Sequence, residues 1–219
     1  MDRREAVLRE LNLYPAWVRR EQPKAVPAPA DAEVRLQAWP ELKEKVRGCE
    51  LCPLRSGCTQ TVFGAGDENA EWLFVGEGPG AEEDARGEPF VGHAGRLLDN
   101  MLLAIRLKRS EVYIANVVKC RPPDNRQPHA SEVAACLPYL KNQIALVKPR
   151  IIVALGRTAA SALLNTDQSI ASLRGRVHEY QGIPLVVSFH PAYLLRAPLD
   201  KERSWQDLCL AHAAISALR

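Results

Sequence analysis

The chain has 219 residues, of which 47% are hydrophobic and 25% are charged, and its formal net charge is +3. This length and composition suit one globular domain with a small appendage and argue against two large domains. The sequence has no apolar run long enough to cross a membrane, and its start, MDRREAVLRE, lacks the pattern of a secretory leader. We therefore expect a cytoplasmic protein with no membrane contact, whose small positive charge permits nucleic-acid binding without requiring it.

The first part of the chain is expected to lie outside the globular domain. Residues 1–21 carry Val7, Leu8 and Leu11 at helical spacing, which predicts a short amphipathic helix. Residues 22–32, QPKAVPAPADA, are rich in proline and alanine and predict a semi-rigid linker. The helix either packs on the domain, which we favour, or serves as a docking peptide. The domain itself is expected to span residues 33–219.

Six cysteines in a chain of this kind favour metal ligands or buried thiols over disulfides. Cys49 and Cys52 form a C-x-x-C pair after a predicted helix through Leu42 and Val46. The other four follow at wide intervals: Cys58, Cys120, Cys136 and Cys209. A C-x-x-C pair suits one edge of a metal site whose other ligands come from distant parts of the chain. The spacing alone leaves buried thiols, a zinc site and an iron–sulfur cluster open.

Four near-continuous apolar runs predict strands that are covered on both faces. They are the run Trp72 to Val75 and the segments EVYIANVVKC, KPRIIVALG and IPLVVSFHP, ending near Asn116, at Gly156 and at His190. Helical patterns lie between and after them: Ala94 to Ile105, Ser131 to Val147, Arg157 to Leu164 and Ser204 to Leu218. This alternation predicts an α/β fold with a mainly parallel sheet of about four strands and flanking helices.

The loop after the first strand combines glycines with carboxylates. Gly76, Gly78 and Gly80 allow close backbone approach, but Glu77, Glu82, Glu83 and Asp84 argue against a phosphate cradle. In a parallel sheet the carboxyl ends of the strands meet at one edge, where ligands bind. Glu77, Asn116, Gly156 and His190 should therefore converge there.

Four segments in this order resemble those of family-four uracil-DNA glycosylases, the iron–sulfur branch of that superfamily. They are GEGPGAEEDARGEPFVGHAGRLLD, NVVKCRPPDNR, LGRTAA and SFHPAYLLR, and the likeness covers about Leu36 to Arg219. The resemblance implies the uracil-DNA glycosylase fold and an enzyme that hydrolyses the N-glycosidic bond of uracil in DNA, leaving an abasic site for base excision repair. It implies single- or double-stranded uracil-containing DNA as the substrate and a protein that acts as a monomer.

The resemblance also implies one [4Fe-4S] cluster held by four cysteines: Cys49, Cys52, Cys120 and Cys136. It leaves Cys58 and Cys209 as ordinary thiols. Because Cys58 lies close to Cys52 in the chain, it is an alternative ligand.

The chemistry of base excision assigns roles to three side chains that match the family pattern. An enzyme must extrude the nucleotide and hold its base by stacking and by its hydrogen-bonding edge. Phe90 matches the stacking ring, and the amide of Asn116 is suited to uracil O4 and N3–H together. His190 is placed to donate to O2, where negative charge grows as the bond breaks.

The glycine-rich loop supplies the remaining pocket residues. The backbone of Glu77, Gly78 and Pro79 is expected to line the uracil site. The best-known branch of the superfamily has an aspartate where Gly78 stands, so a carboxylate elsewhere must orient water or is dispensed with. Glu83 is the candidate, either for positioning water or for excluding the methyl group of thymine.

Five residues are expected to contact DNA outside the base pocket: Arg157, Arg174, Leu194, Leu195 and Arg196. Arg157 opens a helix whose first N–H groups suit a phosphate. Leu194 or Leu195 is the candidate wedge that fills the space left by the flipped base. Arg174, with Arg176, is a candidate phosphate contact, although a charged surface loop explains both nearly as well.

Two other classes of protein remain open at this point. One is a non-catalytic iron–sulfur or DNA-binding protein that kept this fold. The other is a sibling glycosylase with a different deaminated base or with covalent capture of DNA. The capturing branch carries Arg-Arg-Ile-His after the second strand, and this chain reads RPPDNRQPH there, which disfavours capture.

Overall fold

The computed structural model describes residues 38–218, so the predicted helix over residues 1–21 and the linker over residues 22–32 lie outside the described residues. The helices are α1 (Trp39–Arg47), α2 (Leu54–Gly57), α3 (Ala81–Arg86), α4 (His93–Ala104), α5 (Ala130–Val147), α6 (Arg157–Leu164), α7 (Ile170–Leu173), α8 (Pro191–Arg196) and α9 (Lys201–Ser216). The strands are β1 (Ala65–Gly66), β2 (Trp72–Gly76), β3 (Tyr113–Asn116), β4 (Ile151–Leu155), β5 (Val177–Tyr180) and β6 (Ile183–Ser188). Short 3₁₀ turns cover Arg109–Glu111, Pro123–Asn125 and Pro198–Asp200.

The sheet has the strand order β1-β3-β2-β4-β6-β5. Its four central strands, β3, β2, β4 and β6, are parallel, which confirms the four predicted strands. The strand count needs one correction, because β1 and β5 add antiparallel edges on β3 and β6. β5 and β6 form a hairpin whose two turn residues, Gln181 and Gly182, both have positive φ (50° and 81°). That geometry matches the two-residue turns that fit the twist of paired strands.

Alternate residues of the central strands pack into two apolar layers, one on each face of the sheet. On one face Leu73, Val75 and Ile152 pack with α5 and α6. On the other face Phe74 and Val153 pack with α4 and α9. Every residue of β2, β3 and β4 is buried, which explains why these strands read as continuous apolar runs. Within residues 38–218 no helix combines the length and the apolar character needed to cross a bilayer.

Candidate active site and cysteine cleft

A pocket of about 500 Å³ lies beyond the carboxyl ends of the parallel strands. The strand-end residues that the sequence singled out all contribute to its wall: Glu77, Asn116, Gly156 and His190. Other predicted residues that line it are Gly78, Pro79, Glu83, Phe90, Arg157 and Arg196. The sheet edge therefore brings together the base-contacting residues expected from the sequence.

The Asn116 side chain ends β3 and is only 2% exposed. Its Oδ1 atom has no hydrogen-bond partner among the described residues, an arrangement that costs free energy unless a ligand supplies a donor. Neighbouring β2 leaves room for the amide because Gly76 lies opposite Asn116. A Cβ on Gly76 would stand 2.5 Å from Asn116 Oδ1 and 2.6 Å from the ring of Phe90, so no other residue type fits there.

Phe90 is held in a backbone conformation that phenylalanine rarely adopts. Its φ is +53°, in the left-handed region, which favours glycine and costs of order 1–3 kcal/mol for other residues. Two neighbours brace this turn. Arg109 donates to the carbonyl oxygen of Pro89, and a Cβ on Gly95 would come within 1.8 Å of the Phe90 carbonyl oxygen. The ring is thus fixed at the pocket wall by its backbone rather than by a flexible loop.

The ring of His190 stacks on Phe90, with 5.4 Å between the ring centroids and 28° between the planes. A base inserted between two rings needs about 7 Å, two contacts of ~3.5 Å each. The spacing of this pair therefore leaves no room for a base between its two rings.

The proton of His190 is assigned by its hydrogen bond. The main-chain N–H of Ala192 donates to Nδ1 at 3.2 Å, so a neutral ring carries its proton on Nε2. Burial, and then the charge of Arg196, lowers the pKa of His190 to about 4, against an opposing effect of Glu83. At neutral pH the side chain is therefore a neutral Nε2–H donor.

The two carboxylates at the pocket are bound differently. Glu83 accepts main-chain hydrogen bonds from Gly80 (3.1 Å), Val91 (2.9 Å) and Gly92 (3.0 Å), so it ties the start of α3 to the turn after Phe90. The Glu77 carboxylate accepts one hydrogen bond from the described residues, from the hydroxyl of Thr158. Glu83 thus has a structural role in addition to the water-positioning role predicted for it, which stays a prediction.

The residues predicted to contact DNA fall into two groups. Arg157, at the start of α6, and Arg196, at the end of α8, are exposed at the pocket rim. The two candidate wedge residues differ sharply. Leu195 is 47% exposed, whereas Leu194 is 1% exposed and lines a separate apolar cavity with side chains of α4. Since a wedge must reach into DNA, the burial of Leu194 favours Leu195.

Arg174 lies in an internal contact rather than at the pocket. Its Nε donates to the carboxylate of Asp207 at 2.7 Å, and its guanidinium lies 4.4 Å from the ring centroid of Phe189. The side chains of Arg174 and Asp207 are 11% and 1% exposed. This geometry supports the loop before His190, and a phosphate contact by Arg174 stays a prediction.

Sequence reasoning missed part of the pocket wall, the RPPDNR segment after Cys120. Asn125 and Arg126 line the pocket, and Asn125 has a positive φ of 53°. Arg126 forms a two-point ion pair with buried Glu132, at 2.7 and 2.9 Å, which lowers the pKa of Glu132 to about 2. The Asp-Asn dipeptide after two prolines is a turn signal that predicts a loop but not its direction.

Four cysteines lie around one narrow cleft on the α5 side of the sheet: Cys49, Cys52, Cys120 and Cys136. Cys120 and Cys136 are buried, and no histidine or carboxylate lines the cleft. Burial raises the pKa of both thiols, to about 11 for Cys136. Cys58 is absent from the cleft wall but lies beside Cys120, where it also raises that pKa, and its thiol donates to the carbonyl of Arg55.

This donor set is all sulfur, which suits soft metals and iron–sulfur clusters rather than magnesium or calcium. Among residues 38–218, no three histidine, cysteine, aspartate or glutamate side chains are arranged to hold a metal ion. A cubane cluster differs from such a site because each thiolate binds a different iron. The four cleft cysteines therefore fit a cluster by number, chemistry and common cleft.

The fold and the site together define a class: an α/β protein with a pocket of polar groups and aromatic rings beyond the carboxyl ends of its parallel strands. Residues 63–212 match the family model described as Uracil DNA glycosylase superfamily. The chain belongs to this superfamily and to its type-4 branch.

Curated relatives cover most of the chain. A Type-4 uracil-DNA glycosylase from Archaeoglobus fulgidus is 40% identical over 180 residues, which cover 78% of this chain and 90% of that protein. One from Thermotoga maritima is 47% identical over 157 residues, covering 71% and 82%. A Type-5 uracil-DNA glycosylase from Pyrobaculum aerophilum is 34% identical over 148 residues, covering 59% and 64%.

Proposed function

We propose that this protein removes uracil from DNA by hydrolysing its N-glycosidic bond, releasing free uracil and leaving an abasic site for base excision repair. Membership of the superfamily and the type-4 relatives support this activity. The observation that carries it in the structure is the buried Asn116 amide, whose Oδ1 has no donor among the described residues. Uracil N3–H is the donor that this atom requires.

Base recognition follows from the hydrogen-bonding pattern of that amide. Asn116 Oδ1 accepts from uracil N3–H while its Nδ2 donates to O4. Cytosine presents an acceptor at N3 and a donor at C4, so it would face the same amide with both bonds reversed. A site built to pair with one pattern rejects the reversed pattern strongly, because its buried polar atoms are left without partners.

Bond cleavage needs stabilisation of the departing base. As the C1′–N1 bond breaks, its electron pair moves to the uracil ring and negative charge grows on O2. His190 is a neutral Nε2–H donor at the pocket wall, which supports a hydrogen bond to O2 that strengthens as this charge develops. Water adds to C1′ and loses one proton to the solvent, and the departing uracil anion takes up one proton, so the products are free uracil and an abasic sugar.

Two carboxylates are available to orient that water. Glu83 was the sequence-based candidate, but three main-chain N–H groups already bind it. The Glu77 carboxylate accepts only from Thr158 within the described chain and keeps more capacity for a water molecule. We therefore assign the water to Glu77 or Glu83, with Glu83 also holding the loop together.

The pocket rim supports binding of the DNA strand around the flipped nucleotide. Arg157 and Arg196 are exposed cations at the rim and suit phosphates on either side. Leu195 is the exposed apolar side chain on the same short helix as Arg196. Its exposure suits a wedge that replaces the base in the stack.

We propose one [4Fe-4S] cluster, held by Cys49, Cys52, Cys120 and Cys136. Their shared cleft and all-sulfur chemistry support this assignment, as does the type-4 family. When bound, such a cluster supplies a rigid cross-link between three distant segments of chain. Anaerobically purified protein should be brown and contain about four irons per chain; a colourless zinc protein would rule the cluster out.

The proposed activity is tested with oligonucleotides that carry one uracil in a single strand, opposite guanine or opposite adenine. The expected result is release of free uracil and an alkali-labile abasic site on each substrate. Matched oligonucleotides with hypoxanthine, thymine or cytosine separate this activity from that of a sibling glycosylase. Binding to uracil-DNA without release of any base would instead indicate a non-catalytic protein. The monomeric state and the cytoplasmic location stay predictions.

A further inference from the structure

A buried lysine lies between the base pocket and the cysteine cleft. Lys119 is 1% exposed, three residues after Asn116 and one before Cys120. Within the described chain no carboxylate forms an ion pair with it. Its ammonium instead donates to the main-chain oxygen of Asn116 at 2.8 Å and to Gln143 Oε1 at 2.5 Å. Burying an ammonium is costly unless its hydrogen bonds are made, so this placement needs an explanation.

The acceptor on α5 is itself fixed. Gln143 is fully buried, and its Nε2 donates to the carbonyl of Phe63 at 2.8 Å and to the hydroxyl of Tyr113 at 3.2 Å. Both amide hydrogens are therefore used, and Oε1 is left facing Lys119. The ammonium thus has a defined position, set by side chains on α5 and β3.

The other end of the network fixes the backbone on which the base-reading amide stands. The main-chain N–H groups of Val117 and Val118 donate to the carbonyls of Gly76 (2.9 Å) and Glu77 (3.1 Å), respectively. The Lys119 ammonium donates to the carbonyl oxygen of Asn116. The peptide group that follows Asn116 is thereby held at both its oxygen and its nitrogen. This fixes the Asn116 main chain, while its buried side-chain Oδ1 has no hydrogen-bond partner among the described residues.

The same residue reaches the cysteine cleft through its main chain. The N–H of Lys119 donates to Cys136 Sγ at 3.2 Å, and its carbonyl accepts from Val62 at 2.7 Å. Lys119 therefore contacts a proposed cluster ligand with its backbone and the base-reading residue with its side chain.

We propose that Lys119 is a positioning residue for base recognition: its ammonium holds the Asn116 carbonyl so that the Asn116 amide presents its fixed donor and acceptor to uracil. This inference rests on the proposed function. A displacement of about 1 Å at a reacting group costs on the order of 10²-fold in rate. We expect Lys119→Met, which keeps the length and removes the donors, to slow single-turnover uracil release by about 10- to 100-fold.

A double-mutant cycle with Asn116→Ala separates positioning from general damage. The measured quantity is the affinity for a single-stranded oligonucleotide that carries 2′-fluoro-2′-deoxyuridine, whose glycosidic bond resists cleavage, relative to the same strand with thymidine. Lys119→Met should reduce this uracil-dependent preference in the otherwise native chain. It should have no further effect in the Asn116→Ala chain, because the residue through which it acts is gone.

Iron content and thermal unfolding are measured on the same samples, with Lys148→Met as the control at an exposed lysine. Unchanged iron with coupled loss of uracil preference supports the proposal. Three results would overturn it: an equal loss of uracil preference in the native and Asn116→Ala chains, a uracil preference that Lys119→Met leaves unchanged, or loss of iron in Lys119→Met. If Lys119→Met does not fold, Lys119→Leu, which also removes the donors, replaces it in the cycle. A native chain without preference for the uracil strand would instead reject the proposed function.

Discussion

The base pocket and the cysteine cleft are neighbours in sequence but are held together differently. Asn116 ends β3 in the pocket, and Cys120 follows four residues later in the cleft. In the pocket, strand pairing, the Ala192 N–H and the strained turn at Phe90 fix the functional groups. In the cleft, thiols from three separate segments converge with few hydrogen bonds to them. Contacts within the chain position the pocket groups, whereas we propose that the cleft is held together by the cluster that its thiols bind.

This difference predicts that pocket variants lose rate while keeping the fold, and that cleft variants lose iron and stability. The predictions below test that division, beginning with the largest effect.

Cys120→Ala and Cys136→Ala should lose nearly all bound iron and unfold at a lower temperature, because no nearby thiol on the same segment replaces either ligand. Iron analysis and thermal unfolding measure both effects. Cys209→Ala, at an exposed position on α9, is the matched control and should change neither. Cys58→Ala should keep its iron, and loss of iron from that variant would make Cys58 a ligand.

His190→Ala should slow single-turnover cleavage by about 10² to 10³, because it removes a donor to charge that exists mainly in the transition state. The loss should be equal for uracil in a single strand, opposite guanine and opposite adenine. Iron content and affinity for uracil-free DNA should stay near those of the native protein. Weakened DNA binding as the main defect would assign His190 to the strand rather than to the base.

Alanine substitutions at the two leucines of α8 should have different effects, one on cleavage rate and the other on stability. Leu195→Ala should slow cleavage several-fold opposite adenine, less opposite guanine and least in a single strand, because unstacking costs least where the base is mispaired or unpaired. Leu194→Ala should cost about 2–5 kcal/mol of stability, as burial predicts for a core leucine. If Leu194→Ala shows this graded loss of cleavage rate without a loss of stability, Leu194 rather than Leu195 is the wedge.

The smallest expected effect is that of pH. With its pKa lowered to about 4, His190 stays neutral from about pH 5.5 upward. Cleavage under subsaturating single-turnover conditions should therefore show no step near pH 6.5 from this residue. The unfolded chain binds this proton at higher pH than the folded chain does, so His190 should reduce stability as pH falls from 6.5 towards 4. A rate that rises on acidification would indicate a protonated donor instead.

The parallel strands and the strand-end residues were predictable because both follow from local patterns. Continuous apolar runs identify buried parallel strands, and strand direction brings Asn116 and His190 to one edge. The β5 edge strand was missed because only Tyr180 of its four residues is buried, and the Gln181-Gly182 turn lacks the more familiar Asn-Gly signal.

Other features depend on contacts that no local pattern encodes. Which of Leu194 and Leu195 is exposed depends on how α8 is rotated about its own axis as it packs against α4. Arg174 is held by a hydrogen bond to Asp207, which lies 33 residues further along the sequence. The strained turn at Phe90 is set by Gly95 and Arg109 together. In each case the residue could be singled out from its local pattern, and tertiary packing decided its role.

The central claim is that the Asn116 amide, in a pocket at the carboxyl ends of the parallel strands, reads uracil by its donor and acceptor pattern. The most direct measurement compares uracil and cytosine release from matched single strands by the native protein and by Asn116→Asp, with iron content determined for both. We predict that uracil release falls by roughly 10- to 100-fold, as loss of a contact worth about 1–3 kcal/mol requires, that the ratio of cytosine to uracil release rises, and that iron is unchanged. An unchanged uracil rate, or a loss of rate that follows a loss of iron, would contradict the claim.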